Sequence, residues 1–401
     1  MSPRSSREPW RIEASARRGA KPELNLDVQR IAAIDGLRGF AVLLVFCVHF
    51  FSTFVTAAFG VNFDDVASIF ELSGTLAIGY WLFYSHYGVF LFFCISGFVI
   101  ARALSRVSTT AQWRRFMTRR LLRIYPAFLV SLVLACALAV WIQGSTVLGW
   151  RTIAGNLLFL NGWFALNVHA YNNVSWSLFF EFIFYVVYSA LHVLMRQAGR
   201  GPGTAPALWL VFIVSLGIAG YQEWFLFIPF GAGVIAASVS AVRMQRWVAA
   251  TTSDGTTILL YIALTSFSVV AVALPQRGPA GLIWPSLSAL WLLVMSVVFT
   301  LLVLRVAYGA ALLARVFSWP LLAWFGRISF SFFLVHSLVI TLVFNMYRYM
   351  FGALSPPMGL VLGALVLSLA TALSALMYRY IEVPAMGLLR SRQVPANAAI
   401  W

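Results

Sequence analysis

The stretch Arg30-Ile-Ala-Ala-Ile-Asp35-Gly-Leu-Arg38-Gly-Phe-Ala-Val-Leu-Leu-Val-Phe-Cys-Val-His49 decides how the rest of the sequence is read. It is apolar enough to enter a membrane, yet it has an acid and a guanidinium at its mouth and an imidazole deep inside. Successive helical residues turn by about 100° and rise by about 1.5 Å. The step from Arg38 to His49 therefore returns to nearly the same face, about 16 Å further along the axis. Asp35, one turn before Arg38, shares that face. One side of a greasy helix thus presents carboxylate, guanidinium and imidazole in a row.

Composition extends this reading to the whole chain. Of 401 residues, 61% are hydrophobic and only 10% charged, with a mean hydropathy of +0.88. Soluble domains carry about 25% charged residues. The pattern predicts an all-α, polytopic transmembrane helix bundle, because backbone groups in lipid must be satisfied within their own segment. The net charge of +16 does not point to nucleic acid, since the basic residues concentrate in the N-terminal stretch and in alternate loops, where they set topology. Cys47, Cys94 and Cys136 lie in apolar runs without paired spacing and read as small core residues, with neither a disulfide framework nor a metal site.

Residues 1–30 are polar and basic and are expected to form a disordered cytoplasmic tail. The apolar run that follows is expected to remain as an uncleaved span, since no small-residue cleavage site stands behind it. Segments of about 20 apolar residues fall near 36–57, 86–104, 120–141, 174–195, 206–221, 223–242, 257–275, 284–306, 322–346 and 358–381. The loops 105–119, 196–205, 243–256 and 305–321 and the segment 391–401 with Arg390 beside it are basic, whereas 58–85, 142–173 and 276–283 are poor in arginine. About ten spans with both termini in the cytoplasm satisfy the positive-inside bias at every loop. Residues 31–390 then form one transmembrane domain, between the tail 1–30 and a cytoplasmic tail at 391–401. Ala77 to Tyr84 is expected to lie at the outer surface. The loop 142–173, rich in Asn and Trp, suits either carbohydrate contact or the interfacial aromatic belt.

Ionisable side chains within a membrane are costly and mark candidate functional positions, set against the alternative that they only hold the bundle together. Besides Asp35, Arg38 and His49, these are Glu181, His336 and Glu382. Arg120 and Arg123 share a helical face at the cytoplasmic mouth of the third span. Paired guanidiniums bind phosphate through charge-assisted, often bidentate hydrogen bonds, although topology alone also puts arginine there. His49 has the chemistry of a general base on a hydroxyl or of a transient acyl carrier.

Several of these residues fall into recognisable motifs. Asp35-Gly36-Leu37-Arg38-Gly39 with His49 resembles the opening motif of membrane acyltransferase family 3. Gly88 to Phe98 is similar to that family's second-span motif, and Arg120-Leu-Leu-Arg123-Ile-Tyr-Pro126 to its paired-arginine motif. Trp176-Ser177-Leu178 with Glu181, Phe184 and Tyr185 resembles the middle glutamate motif. Gly326-Arg327-Ile-Ser329 through His336 resembles the late histidine motif, and Glu382-Val-Pro384 the terminal Glu-x-Pro. The resemblance covers roughly residues 30–390. Phe90, Phe182, Phe330 and Phe333 depart from it, standing where acids or tyrosines are usual.

The resemblance implies an integral O-acyltransferase of the bacterial inner membrane. Its donor would be cytoplasmic acyl-CoA, with acetyl-CoA first among candidates, and no metal. Its acceptor would be a hydroxyl of an extracytoplasmic glycan, glycolipid or secreted small molecule. On that basis Arg38, Arg120 and Arg123, with Arg327 a weaker candidate, are expected to hold coenzyme A phosphates. Glu382 would join a network with them, and Asp35 would orient Arg38. His49 would be the catalytic imidazole, and Glu181 and His336 would shape the acceptor side. A transporter or glycan flippase is the rival from another class, but matching pairs of broken helices are not visible in the sequence.

Overall fold

The computed structural model describes residues 22–61, 74–83, 87–144, 148–221, 223–251, 253–273, 284–309 and 312–388. Within them the chain is helical throughout, without strands. The first half holds α1 (Pro22–Phe59), α2 (Gly74–Phe83), α3 (Tyr87–Leu104), α4 (Thr110–Gln143), α5 (Trp150–Leu157), α6 (Trp176–Gln197), α7 (Thr204–Ile218) and α8 (Ile228–Ser238). The second half holds α9 (Ala241–Thr251), α10 (Asp254–Ala273), α11 (Trp284–Tyr308), α12 (Leu312–Phe317), α13 (Pro320–Arg327), α14 (Ser329–Phe351), α15 (Pro356–Met377) and α16 (Val383–Gly387). The tail residues 1–21, the C-terminal residues 391–401, and the loop segments 62–73 and 276–283 lie outside the described residues. Residues 22–30, expected within a disordered tail, instead extend α1, with Pro22 at its first turn, a position whose missing N–H costs nothing.

Seven helices among the described residues are long and apolar enough to cross a membrane, or eight if one bent pair counts as a span. Each of the ten segments predicted from the sequence maps onto a helix, but three fall short of a simple crossing. Thr204–Ile218 and Asp254–Phe267 are shorter apolar helices; at about 1.5 Å per residue, Thr204–Ile218 reaches only some 22 Å of a core about 30 Å thick. The predicted span 223–242 is bent by 109° between Trp224–Ser238 and Val242–Val248, where Val239 adopts an extended conformation. The predicted span 322–346 is likewise two helices, α13 and α14, parted at Ile328.

Close backbone approach organises the centre. A Cβ on Gly326 would sit 1.7 Å from the Asp35 carbonyl oxygen, and one on Gly36 1.7 Å from that of Phe317. Short helix α13 and the turn before it therefore press against the mouth of α1, bringing Arg327 to Asp35 and Arg38. Gly97 of α3 and Gly233 of α8 interlock in the same way, against the Phe230 and Cys94 carbonyls. Small residues at helix crossings are how membrane helices gain van der Waals contact when lipid competes for apolar surface. Gly326→Ala is accordingly expected to cost at least about 3 kcal/mol through overpacking against backbone that cannot give. Gly201→Ala, with open space around it, should be neutral; thermal midpoints of the two detergent-solubilised variants test the contrast.

Helix α4, which supplies Arg120 and Arg123, has a defined start. Thr109 and Gln112 form a capping box, the Thr109 hydroxyl accepting from Gln112 N–H and the Gln112 side chain from Thr109 N–H. This satisfies two of the donors a helix start leaves open. Arg305, predicted as a loop charge that sets topology, is instead buried and ion-paired. Its Nε donates to Asp254 Oδ1 at 2.8 Å, and Asp254 Oδ2 accepts from Leu313 N at 3.0 Å. Three successive helices, α10, α11 and α12, are clasped by that one carboxylate.

Candidate active site

Four arginines and three carboxylates, drawn from six segments that sequence separates widely, line one cavity of about 300 Å³. Asp35 and Arg38 come from α1, Arg120 and Arg123 from α4, Glu181 from α6 and Arg327 from α13. Glu382 comes from a π-helical turn at Tyr378–Glu382, a local widening frequent at functional sites. The carboxylates are already engaged. Glu181 accepts from Ser96 Oγ at 3.2 Å and from the Tyr185 hydroxyl. Glu382 accepts from the Ser331 hydroxyl, and Asp35 lies 3.9 Å from Arg38.

The other arginines are not so engaged. Among the described residues no carboxylate comes within 4.0 Å of Arg120, Arg123 or Arg327. Arg120, only 9% exposed, is held between the rings of Phe116 and Tyr185, with its guanidinium carbon 5.3 and 5.8 Å from their centroids. A buried guanidinium without an anion is costly unless a ligand supplies one.

The two histidines form a separate unit one step along the bundle. His49 Nδ1 and His336 Nε2 are 3.0 Å apart, and His336 Nδ1 lies 3.0 Å from the Phe332 carbonyl oxygen. The hydrogen-bond roles follow from chemistry. A carbonyl only accepts, so His336 Nδ1 carries a proton, and in the neutral ring Nε2 is then a lone pair. That lone pair requires His49 to donate from Nδ1. The Val45 carbonyl also accepts from the His49 ring, and a carbonyl one turn back is met by Nδ1, as Phe332 shows for His336. The neutral His49 ring therefore keeps Nε2 unprotonated. His336 is fully buried and stacks on Phe332 with planes 4° apart, which holds its orientation.

Of the residues singled out in the sequence, Asp35, Arg38, Arg120, Arg123, Arg327 and Glu382 meet as one group, and His49 meets His336. Glu181, expected beside His336, lines the arginine cavity instead. The reason is depth. Asn172, just before α6, donates from Nδ2 to the Leu334 carbonyl at 2.8 Å and accepts from Ser337 Oγ at 3.3 Å. The loop preceding α6 thus dips to the level of His336, and Glu181 lies correspondingly deeper. Ser96, Tyr185, Ser331 and Asn172 complete the site. Only Tyr185, four residues after Glu181 and so on its helical face, carries a signal of that role in the sequence. Among the described residues no group of three or more His, Cys, Asp or Glu side chains is placed to hold a metal ion.

A charged cavity leading along α1 toward a buried imidazole pair is the arrangement against which the comparisons with known proteins can be read. Residues 31–379 match the acyltransferase-domain family Acyl_transf_3. The chain belongs to this family. The acyltransferase is 26% identical to the acyltransferase MdmB of Streptomyces mycarofaciens over 414 aligned residues, covering 92% of this chain and 95% of that protein. It is 24% identical to the peptidoglycan O-acetyltransferase OatA of Listeria monocytogenes serovar 1/2a over 352 residues, covering 78% of this chain. The acyltransferase spans only half the length of OatA, 50% of that protein being covered. No solved structure matches it. Family membership and the apolar helices together make the chain a multi-pass membrane O-acyltransferase.

Proposed function

We propose that this acyltransferase takes an acyl group, acetyl first among candidates, from cytoplasmic acyl-CoA and transfers it to a hydroxyl on the extracytoplasmic side of a bacterial inner membrane. The observation that carries the reading is the cavity of unpaired guanidiniums opening beside Arg38. Arg38, Arg120 and Arg123 would bind donor phosphates, with Arg327 assisting, since guanidinium and phosphate pair bidentately. Asp35 keeps Arg38 turned toward the cavity, and Glu382 and Glu181 balance the cluster between turnovers. The loop charges orient the chain with this cavity toward the cytoplasm. A pantetheine arm extending about 16 Å along α1 reaches the depth of His49.

His49 Nε2 then acts as general base. The acceptor hydroxyl oxygen attacks the thioester carbonyl carbon while His49 takes its proton. The C–S bond breaks, and the proton passes to the departing sulfur, leaving acyl ester and free coenzyme A. His336 is a positioning residue that fixes which His49 nitrogen is the base. The acceptor proposed is a cell-surface glycan, glycolipid or secreted hydroxylated small molecule. The likeness to OatA favours a glycan, and that to MdmB leaves a smaller acceptor open.

Full-length protein reconstituted in vesicles is expected to release coenzyme A from acetyl-CoA only when acceptor is present on the opposite face. Mass spectrometry of surface polysaccharide and secreted metabolites from cells with and without the gene should reveal a missing increment of about 42 Da, the mass an acetyl adds in place of hydrogen. Substrate flux without acyl-CoA consumption would overturn the proposal in favour of transport.

A further inference from the structure

The arginine cavity and the histidine pair do not meet. Neither His49 nor His336 lines the cavity, whose far end is closed by Val89, Phe92, Phe93 and Phe333. Phe333 precedes His336 by three residues on α14, so it lies about 4.5 Å nearer the arginines, with its ring centroid 6.0 Å from that of His336. Across from it, Phe92 of α3 meets Phe333 edge to face, centroids 6.4 Å apart and planes at 66°. The two rings stand between the place where a donor would be held and the imidazole that would act on it. An acyl carbonyl has to come within roughly 3–3.5 Å of the attacking atom, so whatever the thioester carries must fit past or between these rings.

We propose that Phe92 and Phe333 are the acyl-length filter of this enzyme, admitting a short acyl group to His49 and excluding longer ones. This inference rests on the reading that acyl-CoA enters from the arginine side. The filter is steric and apolar. The Phe93 ring, stacked on Phe230 with centroids 4.3 Å apart, backs the Phe92 side, and Phe333 is only 7% exposed. Neither wall can retreat far without disturbing the packed centre. In such a slot each added methylene lowers the rate by on the order of tenfold.

The test is a competition in membranes carrying the full-length chain, supplied with acetyl-CoA and butyryl-CoA together, with the acyl groups on the product counted by mass spectrometry. The ratio is internal to each sample, so it does not depend on how much protein is folded. Wild type is expected to favour acetyl by tenfold or more. Phe333→Ala and Phe92→Ala are expected to raise the butyryl share by about tenfold, and Phe333→Leu by less. An acetyl-to-butyryl ratio unchanged in all three variants would overturn the filter. So would loss of transfer from both donors in all of them at an unaltered thermal midpoint, since the rings would then serve the reaction itself. Wild type consuming neither donor would instead overturn the acyl-CoA reading on which the filter depends.

Discussion

His49→Ala is expected to lower acyl transfer by about 10²–10⁴-fold while membrane level and thermal midpoint stay close to wild type. Removing the ring deletes the lone pair at Nε2 that would accept the hydroxyl proton. It also leaves His336 Nε2, 3.0 Å from His49 Nδ1, without its donor. His336→Ala should cost less, because His49 remains but is free to rotate and to change tautomer. His336→Gln separates positioning from packing. Its amide oxygen can accept from His49 Nδ1 as the imidazole does, so it should recover part of the activity lost in His336→Ala. The loss should appear in kcat and leave KM for the acyl donor nearly unaltered, since neither histidine lines the donor cavity. Full activity in His49→Ala would remove His49 from the chemistry.

The row of Asp35, Arg38 and His49 is legible because a single helix fixes the relation of its own residues: periodicity places them on one face whatever surrounds them. The arginine pair on α4 is legible for the same reason. What the sequence cannot supply is which helix lies opposite. The pairing of His49 with His336 joins residues 287 apart, and no local rule predicts it. Glu181 shows how a local rule goes wrong. Counting helical rise from the start of its span puts it near the outer surface, but that count assumes the span begins at the surface. The bonds from Asn172 to Leu334 and Ser337 pull the start of α6 inward, and Glu181 reaches the level of the arginines. The boundary near Ile328 was hidden because the predicted span at 322–346 is apolar on both sides of it. Only the contact of Gly326 with the Asp35 carbonyl explains why α13 stops there to pack on α1.

Removing a guanidinium from the cavity should weaken donor binding, and the pattern of loss identifies what the guanidinium touches. Charge-assisted hydrogen bonds contribute roughly 1.5–3 kcal/mol each, so Arg123→Ala is expected to raise KM for acetyl-CoA by about 10–100-fold. Arg120→Ala should do at least as much, since its guanidinium is already oriented by Phe116 and Tyr185 and loses little freedom on binding. Lysine at either position keeps the charge but not the fork, and should recover only part of the loss. Acetyl-pantetheine, which lacks the phosphates, provides the decisive comparison. Wild type should use it poorly, and Arg120→Ala and Arg123→Ala should be no worse with it than wild type, because the group they contact is already missing. Equal losses with both donors would mean that the arginines support the bundle and do not hold phosphate. In that case the unpaired guanidiniums would need another anion, and the donor would have to enter elsewhere. The Glu382 carboxylate separates these outcomes further. Glu382→Gln keeps the contact with Ser331 but removes a negative charge from the cavity, so it should tighten binding of a polyanionic donor and leave acetyl-pantetheine unaffected.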